Sequence, residues 1–165
     1  MRFGLMLLTA LLLLSGCGAK TEETLFVQDA APAAVSHTVL MGAPEGAVYE
    51  TFADGYAYTA ENGDYCILAE QVDAQTLEEA IKRVSGFSSD ALEIVSLGSG
   101  GTGEYHFAWA SSSGEGEMLS RCTLYATDGQ YYAVTMTQAS ECGTLYVDTA
   151  DAVFASIQLV PEVIV

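Results

Sequence analysis

The chain has 165 residues, with five basic side chains against 22 acidic ones and a formal net charge of −17. A field of that sign repels phosphate backbones and anionic headgroups, which excludes nucleic acid as a partner and charge-driven docking on a membrane. The length suits one domain with an ordinary hydrophobic core.

The first element is an address. Met1-Arg2-Phe3-Gly4 puts one positive charge ahead of the nearly unbroken apolar run Leu5 to Leu14, and Ser15-Gly16-Cys17-Gly18 follows with small residues. A charged start, a short apolar core and a small-residue cleavage site make residues 1–16 an export signal. The run is too short for a bilayer span, which takes about 20 apolar residues. Leu14-Ser15-Gly16-Cys17 resembles the bacterial lipobox. That resemblance implies cleavage before Cys17, a diacylglyceryl group on its thiol, and a lipid-anchored protein outside the cytoplasm, in the cell membrane or on the outer surface. Two acyl chains hold firmly, since each buried methylene contributes roughly 0.8 kcal/mol. In Gram-negative members an aspartate after the cysteine favours inner-membrane retention; here the residue is Gly18. Cleavage would remove only Arg2 among the charges, leaving Lys20, Lys82, Arg83 and Arg121 against 22 acidic residues, a net −18.

Residues 17–46 read as the lipidated cysteine and a flexible tether, rich in Ala and Thr and interrupted by Pro32 and Pro44, with His37 inside it. The domain is expected over 47–160, with 161–165 as a tail. Ala47 to Ala53 and Tyr56 to Ala60 read as strands around Asp54-Gly55. Glu61-Asn62-Gly63-Asp64 is a hairpin turn leading to a strand from Tyr65 to Gln71. Thr76-Leu77-Glu78-Glu79 has the capping-box pattern, with Asp73 as an alternative cap. Leu77, Ala80, Ile81 and Val84 then recur at helical spacing, and Gly86 can end the helix.

Four further strands are expected at Glu93 to Leu97, Glu104 to Ser111, Met118 to Thr127 and Gln130 to Ala139, the last two joined through Asp128-Gly129. Asp148 is the expected cap of a second helix with Ala150, Val153, Phe154 and Ile157 on its apolar stripe, stopped by Pro161. Helices among consecutive hairpins give an α+β fold, an antiparallel sheet packed by two helices. The element order, closing on a helix that ends at Ser156-Ile157, resembles the PsbP-like fold. That resemblance implies an accessory or binding protein rather than an enzyme.

Few residues carry a chemical signal. Gly98-Ser99-Gly100-Gly101-Thr102-Gly103 matches G-x-G-x-x-G, but a dinucleotide site needs a helix directly after the glycines and a strand is expected there. No motif calls for a cofactor or a metal. Cys66, Cys122 and Cys142 remain after lipidation, so at most one internal disulfide can form. Cys122 with Cys142 is the expected pair, closing a loop of about 20 residues that would stabilise by roughly 3 kcal/mol. Tyr56, Tyr58, Tyr105 and Trp109 are the candidates for a binding face on the sheet. The leading expectation is a non-catalytic binding or accessory domain that meets an envelope protein or small ligand. The alternatives are an envelope hydrolase with a carboxylate or thiol site, and metal or redox handling through Cys66, Cys122, Cys142 and His106.

The lipid claim is testable directly. Cys17→Ser should abolish processing and release the protein from membranes in fractionation, whereas normal maturation of that variant would contradict it.

Overall fold

Glycine-marked turns reverse the chain repeatedly, and between them the residues alternate between the two faces of a sheet. The computed structural model describes residues 35–99, 102–114 and 116–162; the expected export signal, Cys17 and most of the expected tether lie outside the described residues, as do Gly100, Gly101, Glu115 and residues 163–165. The strands are β1 (His37–Leu40), β2 (Ala47–Phe52), β3 (Gly55–Ala60), β4 (Tyr65–Val72), β5 (Val95–Ser99), β6 (Thr102–Ser113), β7 (Gly116–Thr127), β8 (Gln130–Ala139) and β9 (Gln158–Pro161). The helices are α1 (Leu77–Ser85) and α2 (Val147–Ser156). The fold is α+β: one seven-stranded antiparallel sheet in the order β2-β3-β4-β8-β7-β6-β5, two helices, and a separate two-stranded ribbon of β1 with β9. Among the described residues no helix is long and apolar enough to cross a membrane.

Local chemistry sets the turns. Asp128 and Gly129 both take positive φ, 50° and 74°, the backbone that matches the twist of a two-residue hairpin. At the β3–β4 turn only Gly63 is left-handed, at φ 80°. Asn62 works differently, accepting the Asp64 N–H on its side-chain oxygen at 3.2 Å. Two meanders result, β2-β3-β4 and β5-β6-β7-β8, and α1 carries the chain from one to the other so that β8 closes against β4.

The ends of α1 match the sequence reading. Thr76 Oγ1 accepts the Glu79 N–H at 3.2 Å, while Glu79 Oε2 accepts the N–H of Gln75 at 3.1 Å. Glu79 also takes Arg83 through Nε and Nη2 at 3.2 and 2.9 Å. Gly86 closes the helix at φ 80°, its N–H donating to the Lys82 carbonyl. At α2 the expected cap is corrected. Tyr146 occupies the N-cap position without a side-chain cap bond, and Asp148 lies in the first turn, where the helix dipole favours its charge.

The strand registers divide the sheet into two faces. Ala133, Leu124, Cys122, Phe107 and Val72 point to one side and are covered by Ala80 and Ile81 of α1. Tyr65, Ile67, Ala69, Tyr132, Val134 and Met136 point to the other, covered by Ala150 and Val153 of α2 and by Val39 of β1. Each large side chain fully buried in this way contributes about 1.5–3 kcal/mol.

The domain limits also need correction. Residues 37–40 pair with 158–161, so His37 stands in a strand rather than in a tether, and Pro161 closes β9 rather than opening a tail. The ribbon is pinned: the Glu162 N–H donates to the Ser36 carbonyl at 2.7 Å, and the His37 N–H donates to the Tyr132 hydroxyl at 2.9 Å. Its missing signal is physical, because four residues without a turn mark a strand only once their partner, more than 110 residues away, is known.

Gly55 lets β3 and β4 approach closely. A Cβ there would fall 2.0 Å from the Ala69 carbonyl oxygen and 2.9 Å from the Glu70 Cα, both backbone atoms. Gly55→Ala should therefore destabilise by about 3 kcal/mol in urea unfolding. Gly63→Ala, where no atom lies within 4 Å of the added Cβ, should cost only about 1 kcal/mol of left-handed strain. A Gly55→Ala variant as stable as Gly63→Ala would refute the close approach.

Candidate functional site

The four aromatic residues expected on one face are divided between two. Tyr56 stands opposite Ala69, Ala69 opposite Val134, Val134 opposite Thr123 and Thr123 opposite His106, which places Tyr56 and Tyr58 on the side of α2. Tyr105 and Trp109 alternate with His106 in β6 and so face α1, where the Phe107 and Trp109 rings stack at 5.7 Å. The shared face of Tyr56, Tyr58, Tyr105 and Trp109 is therefore not formed.

The same parity separates the sulfur groups from the histidine. Cys66 and Cys122 point to the α1 side, opposite His106, so these three cannot converge on one metal. Cys122 is fully buried, and burial first of all pushes its thiol up to about 12, far from a reactive thiolate. Cys142 sits in a short 3₁₀ turn after β8, where desolvation and then the Asp64 and Glu141 carboxylates raise its pKa. All three thiols are free, so the expected Cys122–Cys142 disulfide is not made. Cys122 is held at the centre of the sheet while Cys142 lies beyond its end, after β8 has run out. Among the described residues no three metal-ligating side chains gather.

His106 has company that the linear sequence hides. Its Nε2 lies 2.7 Å from Glu104 Oε1, and its Nδ1 lies 3.1 Å from Thr123 Oγ1. Hydroxyl, imidazole and carboxylate stand in the order of a nucleophilic triad. The setting lacks what such a triad needs. Thr123 is 1% exposed and sits mid-strand between β6 and β8, where the ladders on both sides take the neighbouring backbone groups. An oxyanion hole needs free N–H donors aimed at the reacting carbonyl. Tyr125, across from Glu104, has its phenol pushed up to about 12 by burial and then by the Glu104 and Cys122 charges.

Two recesses open on the α2 side of the sheet. The first, of about 410 Å³, lies between α2 and strands β6 to β8. Met136 and Ala150 are buried within it and Leu119 and Val147 are exposed along it, while Trp109 adjoins it in β6 with its ring stacked on Phe107 on the other side of the sheet. Its single cation is already engaged: Arg121 Nη1 meets Asp151 Oδ1 at 2.7 Å, and the guanidinium carbon lies 4.3 Å from the centre of the Phe154 ring. Tyr146 fixes the start of α2 beside it, donating to Asp64 Oδ2 at 2.6 Å and packing its ring 4.8 Å from that of Tyr65. An apolar lining with a neutralised charge suits an uncharged group of side-chain size or larger.

The second recess, of about 340 Å³, lies between the β1–β9 ribbon and the β2-β3-β4 end of the sheet. His37, Tyr49, Tyr56 and Tyr132 line it, with Asp54, Glu70 and Glu162. Burial, then the Asp54 charge, holds the Glu70 carboxyl above its ordinary value. In the sequence neither recess had a signal, because each is assembled from strands far apart in the chain.

No protein-family model matches the chain, and no curated protein matches it. Among solved structures it is similar to a 1.50 Å crystal structure from Bacteroides thetaiotaomicron VPI-5482, at 14% identity and a TM-score of 0.47 over 73% of this chain. The match spans only 44% of the Bacteroides chain. It is also similar to LpqN, involved in cell envelope biogenesis of Mycobacterium tuberculosis, at 12% identity and a TM-score of 0.47 over 77% of this chain and 86% of that one. A third is the solution structure of cyanobacterial PsbP (CyanoP) from Synechocystis sp. PCC 6803, at 11% identity and a TM-score of 0.48 over 81% of this chain and 98% of that one.

Glu70, whose side chain points to the α1 side with Ala133, gives the fold a pH signature. Its carboxyl is raised in the folded protein, so the fold is disfavoured when that group ionises and is relieved of the penalty as pH falls below the ordinary carboxylate range. Glu70→Gln should melt higher than the parent at pH 7.5, with the difference vanishing below about pH 4. An equal gain at both pH values would disconnect it from ionisation.

Proposed function

We propose that this is an exported, lipid-anchored protein of the cell envelope whose domain works by binding rather than by catalysis. The recess between α2 and the sheet takes an uncharged apolar group from its partner. The observation that carries this reading is the recess itself, an open apolar surface on a domain that is otherwise strongly acidic. Anionic groups are repelled by the net charge and find Arg121 already paired with Asp151. Cationic groups gain nothing among Leu119, Met136 and Val147. The anchor reading rests on the Leu14-Ser15-Gly16-Cys17 motif and places the domain outside the cytoplasm.

Hydrolysis remains a second reading because of one observation, the Glu104–His106–Thr123 chain of hydrogen bonds. Its buried hydroxyl argues against it, and its test is simple.

Nile red, an uncharged apolar dye, should bind the full chain saturably and accept energy from Trp109, the only tryptophan. Ala108→Phe adds bulk at an exposed position on the recess wall and should weaken the dye about tenfold without lowering the melting temperature. Dye binding indifferent to Ala108→Phe and to Leu119→Asp would remove the recess as the site. Turnover of p-nitrophenyl butyrate that both Thr123→Val and His106→Gln abolish would replace binding by hydrolysis.

A further inference from the structure

The cleft under the β1–β9 ribbon differs in chemistry from the apolar recess. Its lining contains the carboxylates of Asp54 and Glu162 and neither lysine nor arginine, while the Glu70 side chain, registered with Ala133, points to the α1 side. Beyond residue 34 the sequence has only three basic residues, and none can neutralise this end of the molecule. Lys82 and Arg83 belong to α1, which packs on the opposite face, and Arg121 is paired with Asp151. A cleft walled by protein focuses such an uncompensated field.

Aromatic rings form one wall. Tyr49, Tyr56 and Tyr58 pack with centroids 5.3 to 5.8 Å apart, too close for a cation to enter among them. They act as one continuous surface, and Tyr49 is 54% exposed on it. The Tyr56 hydroxyl is committed to the Val39 carbonyl at 3.1 Å, so that residue offers its ring rather than its polar tip. The Tyr132 hydroxyl is committed as well, accepting from the His37 N–H and donating to Gln130.

The opposite wall is polar and less completely satisfied. Glu162 Oε1 accepts from the Thr38 hydroxyl at 2.8 Å, which fixes the carboxylate at the mouth of the cleft. His37 Nδ1 is buried without a hydrogen-bond partner among the described residues. A buried nitrogen in that state is costly and is relieved by a ligand that supplies its complement.

We propose that this cleft binds an organic cation: a guanidinium or ammonium group on a short apolar stem, its charge toward Glu162 and Asp54 and its stem along Tyr49 and Tyr56. Aromatic faces attract cations through the ring quadrupole, and a planar guanidinium can also bond a carboxylate in pairs. A bare metal ion fits poorly, since no three ligating side chains converge among the described residues.

The test is titration of the purified full chain with butylguanidinium at low ionic strength, followed by amide and aromatic NMR shifts. Saturable shifts at His37, Tyr49 and Tyr56 are expected, and n-butylurea, the neutral isostere, should produce none. Tyr49→Ala and Glu162→Gln alter exposed side chains and should each weaken binding about threefold to tenfold at unchanged melting temperature. Ala108→Phe, in the other recess, should leave this binding intact, so the two sites stand or fall separately. A capped Gly-Arg-Gly peptide that binds more tightly than butylguanidinium would identify the source as a protein side chain. Equal or weaker peptide binding would identify a free small cation. Shifts spread without saturation over the acidic surface, or binding unaffected by both cleft variants, would overturn the proposal.

Discussion

A seven-stranded sheet has two faces to cover, and the described residues supply helices of only nine and ten residues to do so. The fold rests on meeting that demand at the centre. β8 is paired along its length to β4 and β7, and its run Tyr132 to Met136 is buried on both faces. One helix lies on either side of this spine, and the β1–β9 ribbon extends the cover on the α2 side. Cover thins toward the outer strands. Val48, Tyr49 and Phe52 of β2 and Val95 and Leu97 of β5 all stay exposed. Both recesses are places where a short covering element ends before the sheet does.

Most of the local structure was legible because its causes are local. Alternating patterns, Asp128-Gly129 and the Thr76 to Glu79 cap specify backbone over a few residues, and the strands and α1 follow within a residue or two of expectation. The β1–β9 ribbon was not legible. Neither strand contains a turn, and each is strand only by virtue of the other. The second helix shows the intermediate case, with its apolar stripe legible and its cap misplaced by two residues because Tyr146 is held by Asp64 rather than by a capping bond.

The site was harder to read for a reason that can be stated as parity. Within a strand, side chains alternate between faces, so Tyr105 and Trp109 were correctly grouped. Whether they share a face with Tyr56 depends on four successive registers, β3 to β4 to β8 to β7 to β6, and a shift of one residue in any of them reverses the answer. The registers place the groups back to back. The same arithmetic parts Cys66 and Cys122 from His106 and brings His106 against Thr123 instead. Cross-strand neighbours of this kind leave no spacing motif behind.

The ribbon connects these observations to the first described part of the chain. It is the first described element after the segment that would lead from Cys17, and it is also one wall of the acidic cleft. It is held by the Tyr132 and Tyr56 hydroxyls and by apolar packing of Val39 and Leu159 on the core, with Met41 and Ile157 packing beside it and the Gly42 N–H donating to Ser156 Oγ of α2 at 2.8 Å. The β8 spine is laddered to strands on both sides, whereas among the described residues the two ribbon strands are laddered only to each other. Anything that seats against His37, Tyr49 and Glu162 therefore bears on an element joined to the sheet by side-chain contacts and not by a backbone ladder.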